Sequence, residues 1–232
     1  MENIKKSMTP GVLLQVLIFV FIIPLLPILM TRRWSWWEAW VYAAINILGF
    51  VASRAIAGRK HPDLLAERAR MLHHDDPEPW DRWLAPLVGL GGGLIPLTAG
   101  LDGLFSTLPN FSILVKIAAL VLMLAGFALG SYALVENRFF SGMVRIQTDR
   151  GHKVISSGPY AWIRHPGYTG ALVSYIAAPV LLDAVWAFIP AILLSIVLVI
   201  RTHLEDETLQ DRLVGYREYA EQVRFRLFPG IW

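Results

Sequence analysis

Three short stretches of the chain carry residue types that bind ligands or do chemistry. The first, residues 158–170, reads GPYAWIRHPGYTG. A proline disfavours helical geometry in the residue before it, so Gly158 and His165 are pushed towards extended backbone. Pro166 suits the first position of a helix, which places Tyr168 and Gly170 at the start of that helix. His165 would then stand at a helix N-terminus, beside unpaired N–H groups that attract an anion. Arg164 adds a positive charge, and Tyr160 and Tyr168 each add a flat face with a hydroxyl. Such a turn suits a soluble ligand with a carboxylate and an aromatic ring. The same residues also suit an interfacial anchor, with Arg and Tyr at headgroup level.

The second stretch, residues 201–216, reads RTHLEDETLQDRLVGY. Arg201 and Glu205 lie four apart, on one face of a helix that Leu209 and Arg212 roughly continue. They read either as an ordinary surface ion pair or as the mouth of a cavity where a lipophilic substrate meets a water-soluble cofactor. The third stretch, HHDDPEP at residues 73–79, has the ligand types of a metal site but not the spacing. Neighbouring side chains diverge on an extended segment, and no HExxH pattern accompanies them, so a solvated loop and no metal is expected. No G-x-G-x-x-G follows a strand, which argues against a Rossmann cofactor domain. The run GLGGGL at residues 89–94 lies in an apolar span and reads as close packing.

The elements that must position these stretches are membrane helices. The chain has 232 residues, 55% of them hydrophobic and only 17% charged, which is the composition of an integral membrane protein. With a net charge of +3, basic loops at a membrane are expected rather than a nucleic-acid partner. The absence of cysteine excludes disulfides, a thiolate nucleophile and Cys-based metal sites. Residues 11–30 carry no charge over 20 positions, long enough to cross a hydrocarbon core of about 30 Å, and read as a retained transmembrane helix rather than a cleaved leader. Residues 34–53, 83–101 and 111–135 form three further spans, with Lys116 near enough to an end to snorkel. Gly126 and Gly130 make a GxxxG pair that calls for close helix packing. Residues 168–182 and 185–200 are shorter, broken by Asp183, Pro179 and Pro190, and read as a tight helical hairpin.

The fold expected is all-α and polytopic: four full transmembrane helices plus a C-terminal transmembrane helical hairpin, with cytoplasmic cofactor-binding loops. All of the 21 Lys and Arg except Arg32, Arg33 and Lys116 would lie on one side, which the positive-inside rule makes cytoplasmic, together with both termini. The expected division is residues 1–135, transmembrane helices with a cytoplasmic loop at 58–82, and residues 136–232, the region bearing the chemistry. An inner bacterial membrane is the expected setting.

Taken together, residues from about 137 to 232 resemble the isoprenylcysteine carboxyl methyltransferase family and its bacterial and phospholipid-methylating relatives. The matching segments are GHKVISSGPYAWIRHPGYTG at 151–170, RTHLED at 201–206 and YREYAEQVRFRLFPGIW at 216–232, with HPDLLAERA at 61–69 matching more weakly. The resemblance implies S-adenosylmethionine as methyl donor, a lipophilic or lipid acceptor and no metal. Its cofactor contacts carry over to Gln147, His152, Lys153, Val154, Ile155, Tyr160, His165, Pro166, Gly167, Tyr168 and Glu205. Arg201 matches its substrate-contacting arginine, so Arg201 and Glu205 are the expected catalytic pair. Where many relatives have paired glutamates, this chain has Glu205 followed by Asp206. A competing expectation is an NADPH-dependent lipid or sterol-type reductase of related architecture, with Arg145, Arg150, Lys153 and Arg164 as cations for the 2′-phosphate. A non-enzymatic membrane binding protein is the third.

Overall fold

The computed structural model describes residues 10–69, 76–105 and 111–232, and every regular element among them is helical. In chain order these are α1 (Leu14–Thr31), α2 (Trp37–Lys60), α3 (Pro62–Ala69), α4 (Asp81–Gly91), α5 (Leu94–Phe105), α6 (Ile113–Glu136), α7 (Pro166–Leu181), α8 (Phe188–Arg212) and α9 (Tyr216–Gln222). Among the described residues, five helical segments are long and apolar enough to cross a membrane: α1, α2, α4 with α5, α6, and the segment Val185–Arg212 that contains α8. Large apolar side chains such as Leu48, Leu114, Val121 and Leu193 face outward from them, as a lipid solvent allows. The His73, His74 and Asp75 part of the HHDDPEP stretch lies outside the described residues.

Proline explains the irregular course of α1. Pro24 and Pro27 lack the N–H that an α-helix needs, and the backbone widens to a π-turn at Leu17–Ile22 and tightens to a 3₁₀ turn at Ile23–Leu25 before resuming. The expected third span is divided in two at Gly92 and Gly93. A Cβ at Gly91 would lie 2.3 Å from Leu194 of α8, so the glycine run does serve packing.

The hairpin differs from expectation in its second arm. α7 has 16 residues, about 24 Å of helix, and falls short of a full crossing. α8 instead runs 25 residues without a break, from the apolar core into the polar stretch that holds Arg201, Glu205 and Asp206. Pro190 sits in its first turn, where the N–H groups are unpaired anyway, and Pro179 sits in the last turn of α7. The prolines mark helix ends rather than interrupt helices.

At the hairpin corner Asp183 adopts a left-handed backbone (φ 56°). Its carboxylate accepts the Phe111 N–H at 2.8 Å and pairs with Lys116 at 3.0 Å, while Lys116 also donates to Glu38 of α2 at 2.8 Å. Lys116 is therefore buried and paired, not snorkelling, because two acids converge on it.

α6 and α7 touch backbone to backbone. A Cβ on Gly126 would meet the Gly170 carbonyl oxygen at 2.6 Å, and one on Gly170 would meet the Gly126 oxygen at 2.3 Å. The GxxxG pair thus brings α7, and the loop before it, against α6. α2 also runs further than expected, past Ser53 to Lys60, so Arg54, Arg59 and Lys60 ride on a helix. The segment expected as loop 58–82 contains α3 and the first residues of α4.

Candidate active site where the hairpin leaves the membrane

The site is built around an ion pair that closes across 120 residues of sequence. Asp81, in the first turn of α4, is fully buried, and its carboxylate receives Arg201 Nε at 2.7 Å and Nη2 at 2.9 Å. A carboxylate at a helix start also gains from the positive end of the helix dipole. Asp81 additionally accepts the Val144 N–H at 2.6 Å, and Arg201 donates to the Gly142 carbonyl at 3.0 Å, which fastens the irregular segment 142–147 to both helices. The expected simple pairing of Arg201 with Glu205 does not occur. Tyr168 stands between them, its hydroxyl accepting from Arg201 Nη1 at 2.7 Å and donating to Glu205. Arg201 has five N–H groups, of which these contacts occupy four.

Asp206, one residue on, performs a different task. It is fully buried and receives Arg164 through both prongs (2.7 and 2.9 Å), Arg226 at 2.7 Å, Gln210 at 2.7 Å, Tyr216 at 3.1 Å and His165 at 3.2 Å. The GPYAWIRHPGYTG turn, α8, α9 and the segment after α9 all meet on this one carboxylate. The same segment takes up backbone donors of the turn: Arg164 N–H bonds to Phe225 O at 3.0 Å and His165 N–H to Arg226 O at 2.9 Å. Tyr168 and Thr169 N–H fold back on the His165 carbonyl. The open anion nest expected at the start of α7 is thus reduced to the Gly167 N–H at most. His165 is buried and stacks parallel to Tyr168 with centroids 5.7 Å apart.

The opposite wall is the segment 137–155. Gln147 is buried with both ends of its amide engaged, donating to Phe139 O at 2.8 Å and accepting from Arg150. Its N–H points at Nδ1 of His152, 3.3 Å away, so the neutral ring carries its proton on Nε2. Burial, with Arg145 and Arg150 nearby, pushes the His152 pKa down to about 4. Arg145 is buried with Glu67 at 3.0 Å and also holds Asp149 and Asp76. Burial opposes its charge, but hydrogen bonds to Asp149 and Glu67 raise its pKa above the ordinary value. Phe139 and His152 lie ring to ring at 4.7 Å.

These walls enclose about 780 Å³ of space, part of it open to solvent. Of the residues singled out in the sequence, Gln147, His152, Lys153, Val154, Ile155, Tyr160, His165, Gly167, Tyr168, Arg201 and Glu205 all line it. Pro166 does not; it is buried as the first residue of α7. The lining also includes Asn137, Phe139, Phe140, Tyr216 and Tyr219, which the sequence reading did not pick out. Asp81 was missed as well. An acid starting an otherwise apolar span was its available signal. Of the four cations that a 2′-phosphate would require, Arg145, Arg150 and Arg164 are matched by Glu67, Asp63 and Asp206. Among the described residues only Lys153 of the four lacks an acidic partner.

A second cavity lies deeper, between α1, α2, α4, α6 and α7. Its lining is mostly apolar, with Ile23, Tyr42, Met123, Phe127 and Ala178 among its walls. Phe140 and Gly167 line both cavities. The two spaces share one wall.

The fold and site define a polytopic helical membrane protein with a polar pocket at one end of its spans, backed by an apolar cavity. Residues 117–211 match the family model described as the isoprenylcysteine carboxyl methyltransferase (ICMT) family. The matched segment carries most of α6, all of α7, nearly all of α8 and most of the pocket-lining residues. Over 124 residues, half of this chain, it is 32% identical to a protein-S-isoprenylcysteine O-methyltransferase of Schizosaccharomyces pombe, covering 51% of that protein. A probable protein-S-isoprenylcysteine O-methyltransferase of Oryza sativa subsp. indica is 35% identical over 69 residues, 36% of its length. A lamin-B receptor of Drosophila melanogaster is 26% identical over 103 residues, 14% of its length. The matches thus span about half or less of these curated relatives. All three organisms are eukaryotes, which lends the bacterial setting no support.

Proposed function

We propose that the chain is an S-adenosylmethionine-dependent methyltransferase of the membrane, acting on a lipophilic acceptor such as an isoprenylcysteine-like carboxylate. The observation that carries this reading is the wall shared at Phe140 and Gly167, where a polar pocket for a soluble donor abuts an apolar cavity for a lipid. The family match of the pocket segment supports it. When bound, the donor would supply an electrophilic methyl group on a sulfonium.

The residues present fit such a donor. Glu205 has Tyr168 as its hydrogen-bond partner among the described residues, which leaves carboxylate capacity for a cationic ligand. Tyr160, Tyr168 and Tyr219 offer aromatic faces, which attract cations and stack on flat rings. Exposed Lys153 and the Nε2–H of His152 suit a carboxylate and a ring acceptor respectively. Arg201 keeps one N–H for the acceptor, and its orientation is locked by Asp81, so it can position without itself moving. A carboxylate acceptor is already a nucleophile and needs no base, whereas an amine or phenol would require one. The reductase alternative is weakened by the pairing of Arg145, Arg150 and Arg164, which leaves little positive charge for a 2′-phosphate.

The test is calorimetry of detergent-solubilised protein with S-adenosylmethionine and NADPH side by side. Binding of the first alone is expected, followed by transfer of a labelled methyl group into a lipid extract. Binding of NADPH alone would overturn the proposal.

A further inference from the structure

The tyrosines of the polar pocket all use their hydroxyls. Tyr160 accepts from Asn137, Tyr168 bridges Arg201 and Glu205, Tyr216 donates to Asp206, and Tyr219 donates to the Tyr160 carbonyl. Two tyrosines of the apolar cavity differ. Tyr42 of α2 is 6% exposed and Tyr175 of α7 is half-buried, and both line that cavity. Among the described residues neither hydroxyl has a hydrogen-bond partner. The two rings share one packed cluster and lie near enough to act on each other electrostatically.

These hydroxyls are not sealed in. Among the described residues, His61 Nε2 is the one fully sealed side-chain atom that lacks a partner. The hydroxyl of Tyr42 therefore keeps open surface, and with the rest of its ring buried that surface belongs to the cavity. Asn46 lies one turn further along the same face of α2 and lines the cavity too. Its amide N–H donates to the Tyr42 carbonyl at 2.8 Å, and its own side-chain oxygen has no partner among the described residues.

A hydroxyl withdrawn from water without a partner costs free energy, and phenylalanine would fill the same space without that cost. A mostly apolar site that keeps a few placed polar groups uses them to orient what it binds. Here those groups are uncharged: two hydroxyls that can donate and an amide oxygen that can accept. They suit a hydroxyl or a carbonyl rather than an ionised head. Their place matters as much. Gly167 stands in the wall shared with the polar pocket, and Tyr175 follows it eight residues on along α7. Eight residues make about 12 Å of helix, so the polar spot lies far from that wall.

We propose that the cavity takes a lipid with an uncharged oxygen inside its apolar body, held by Tyr42, Tyr175 and Asn46 far from the reacting end. A hydrocarbon tail alone would leave all three groups unmatched. The inference rests on reading the cavity as the acceptor's chamber, and it constrains the tail of the acceptor rather than the head that receives the methyl group. Tyr42 and Tyr175 are then specificity residues.

The test uses the whole protein in a non-ionic detergent, with three uncharged probes: methyl stearate, methyl 10-hydroxystearate and methyl 2-hydroxystearate. The second carries its hydroxyl well along the chain and the third carries it beside the head, which controls for polarity alone. Wild-type protein is expected to bind the 10-hydroxy ester roughly three- to tenfold more tightly than either of the others, the scale of one neutral hydrogen bond. The double variant Tyr42→Phe with Tyr175→Phe should lose that preference and still bind methyl stearate as before. Its melting temperature should hold or rise, because the hydroxyls it loses have no protein partner to strand. Equal binding of the three esters, binding of none, or a preference that survives in the double variant would overturn the proposal. A lowered melting temperature would do the same, by showing that the hydroxyls serve the fold. Donor calorimetry on the same samples separates the two readings. Wild-type protein that fails to bind S-adenosylmethionine sinks the methyl-transfer reading, while the ester comparison still decides the role of the two tyrosines.

Discussion

Arg201 shows how a residue legible in a sequence can have an illegible partner. Its type, and its place four residues before Glu205, marked it as a candidate. Its true counter-ion, Asp81, starts another helix and is joined to it only by tertiary structure. Removing the arginine strands a fully buried carboxylate, so Arg201→Ala should destabilise the protein by about 3–5 kcal/mol. Replacing both residues, as Arg201→Met with Asp81→Leu, should recover much of that loss while leaving the proposed methyl transfer abolished. Thermal unfolding in detergent checks the first part, and an activity assay the second. His152 gives a pH prediction. Its folded pKa lies near 4, below the ordinary 6.5, so the unfolded chain takes up a proton at a higher pH than the folded one. The stability it contributes is therefore intact above pH 6.5 and drains away as the pH falls from there to about 4. His152→Gln should flatten that part of the stability profile. A ring resonance titrating near 6.5 in the folded protein would refute the assignment.

At the scale of elements, apolar runs fix where spans lie because the cost of unpaired backbone in lipid leaves helices little alternative. They do not fix where helices stop. α2 and α8 both continue past the long apolar runs, since no proline interrupts RTHLEDETLQDR or residues 54–60, and the single glycine there, Gly58, costs only about 1 kcal/mol. The contact between α6 and α7 was legible from Gly126 and Gly130, but its third member, Gly170, looked like part of a binding turn. Gly170→Ala would drive a Cβ to 2.3 Å from the Gly126 oxygen and 2.8 Å from the Gly130 nitrogen, backbone atoms that cannot step aside. The helices must part, at a cost of about 3 kcal/mol or more. Gly130→Ala meets its nearest foreign atom only at 3.9 Å and should be neutral, or gain up to about 1 kcal/mol from helix propensity. Melting temperatures of the two variants, measured side by side, test the asymmetry. Similar values would mean that α6 and α7 do not pack as described.

For the whole molecule, the residues that line the polar pocket all follow residue 135, but ion pairs that hold them cross that division. Asp81 and Glu67, from the first part, hold Arg201 and Arg145 of the second. Orientation rests on the distribution of Lys and Arg, and the natural lack of cysteine makes it easy to probe. Cysteine placed at exposed Ser35, between α1 and α2, should react with a membrane-impermeant reagent from outside the cell. At exposed Ser156, beside the pocket, it should react only after the membrane is opened. The opposite pattern would put the polar pocket on the far side from the cytoplasm. One hydroxyl, that of Tyr168, carries a consequence for the order of events at the site. It is shared between Arg201 and Glu205, so an occupant that draws Glu205 towards itself also changes what Arg201 has left to offer. Thermodynamic reciprocity then requires that each occupant alter the other's affinity by the same factor. Tyr168→Phe, which cuts the shared link, should make the two binding events independent, turning a cooperative pair of isotherms into two that ignore each other.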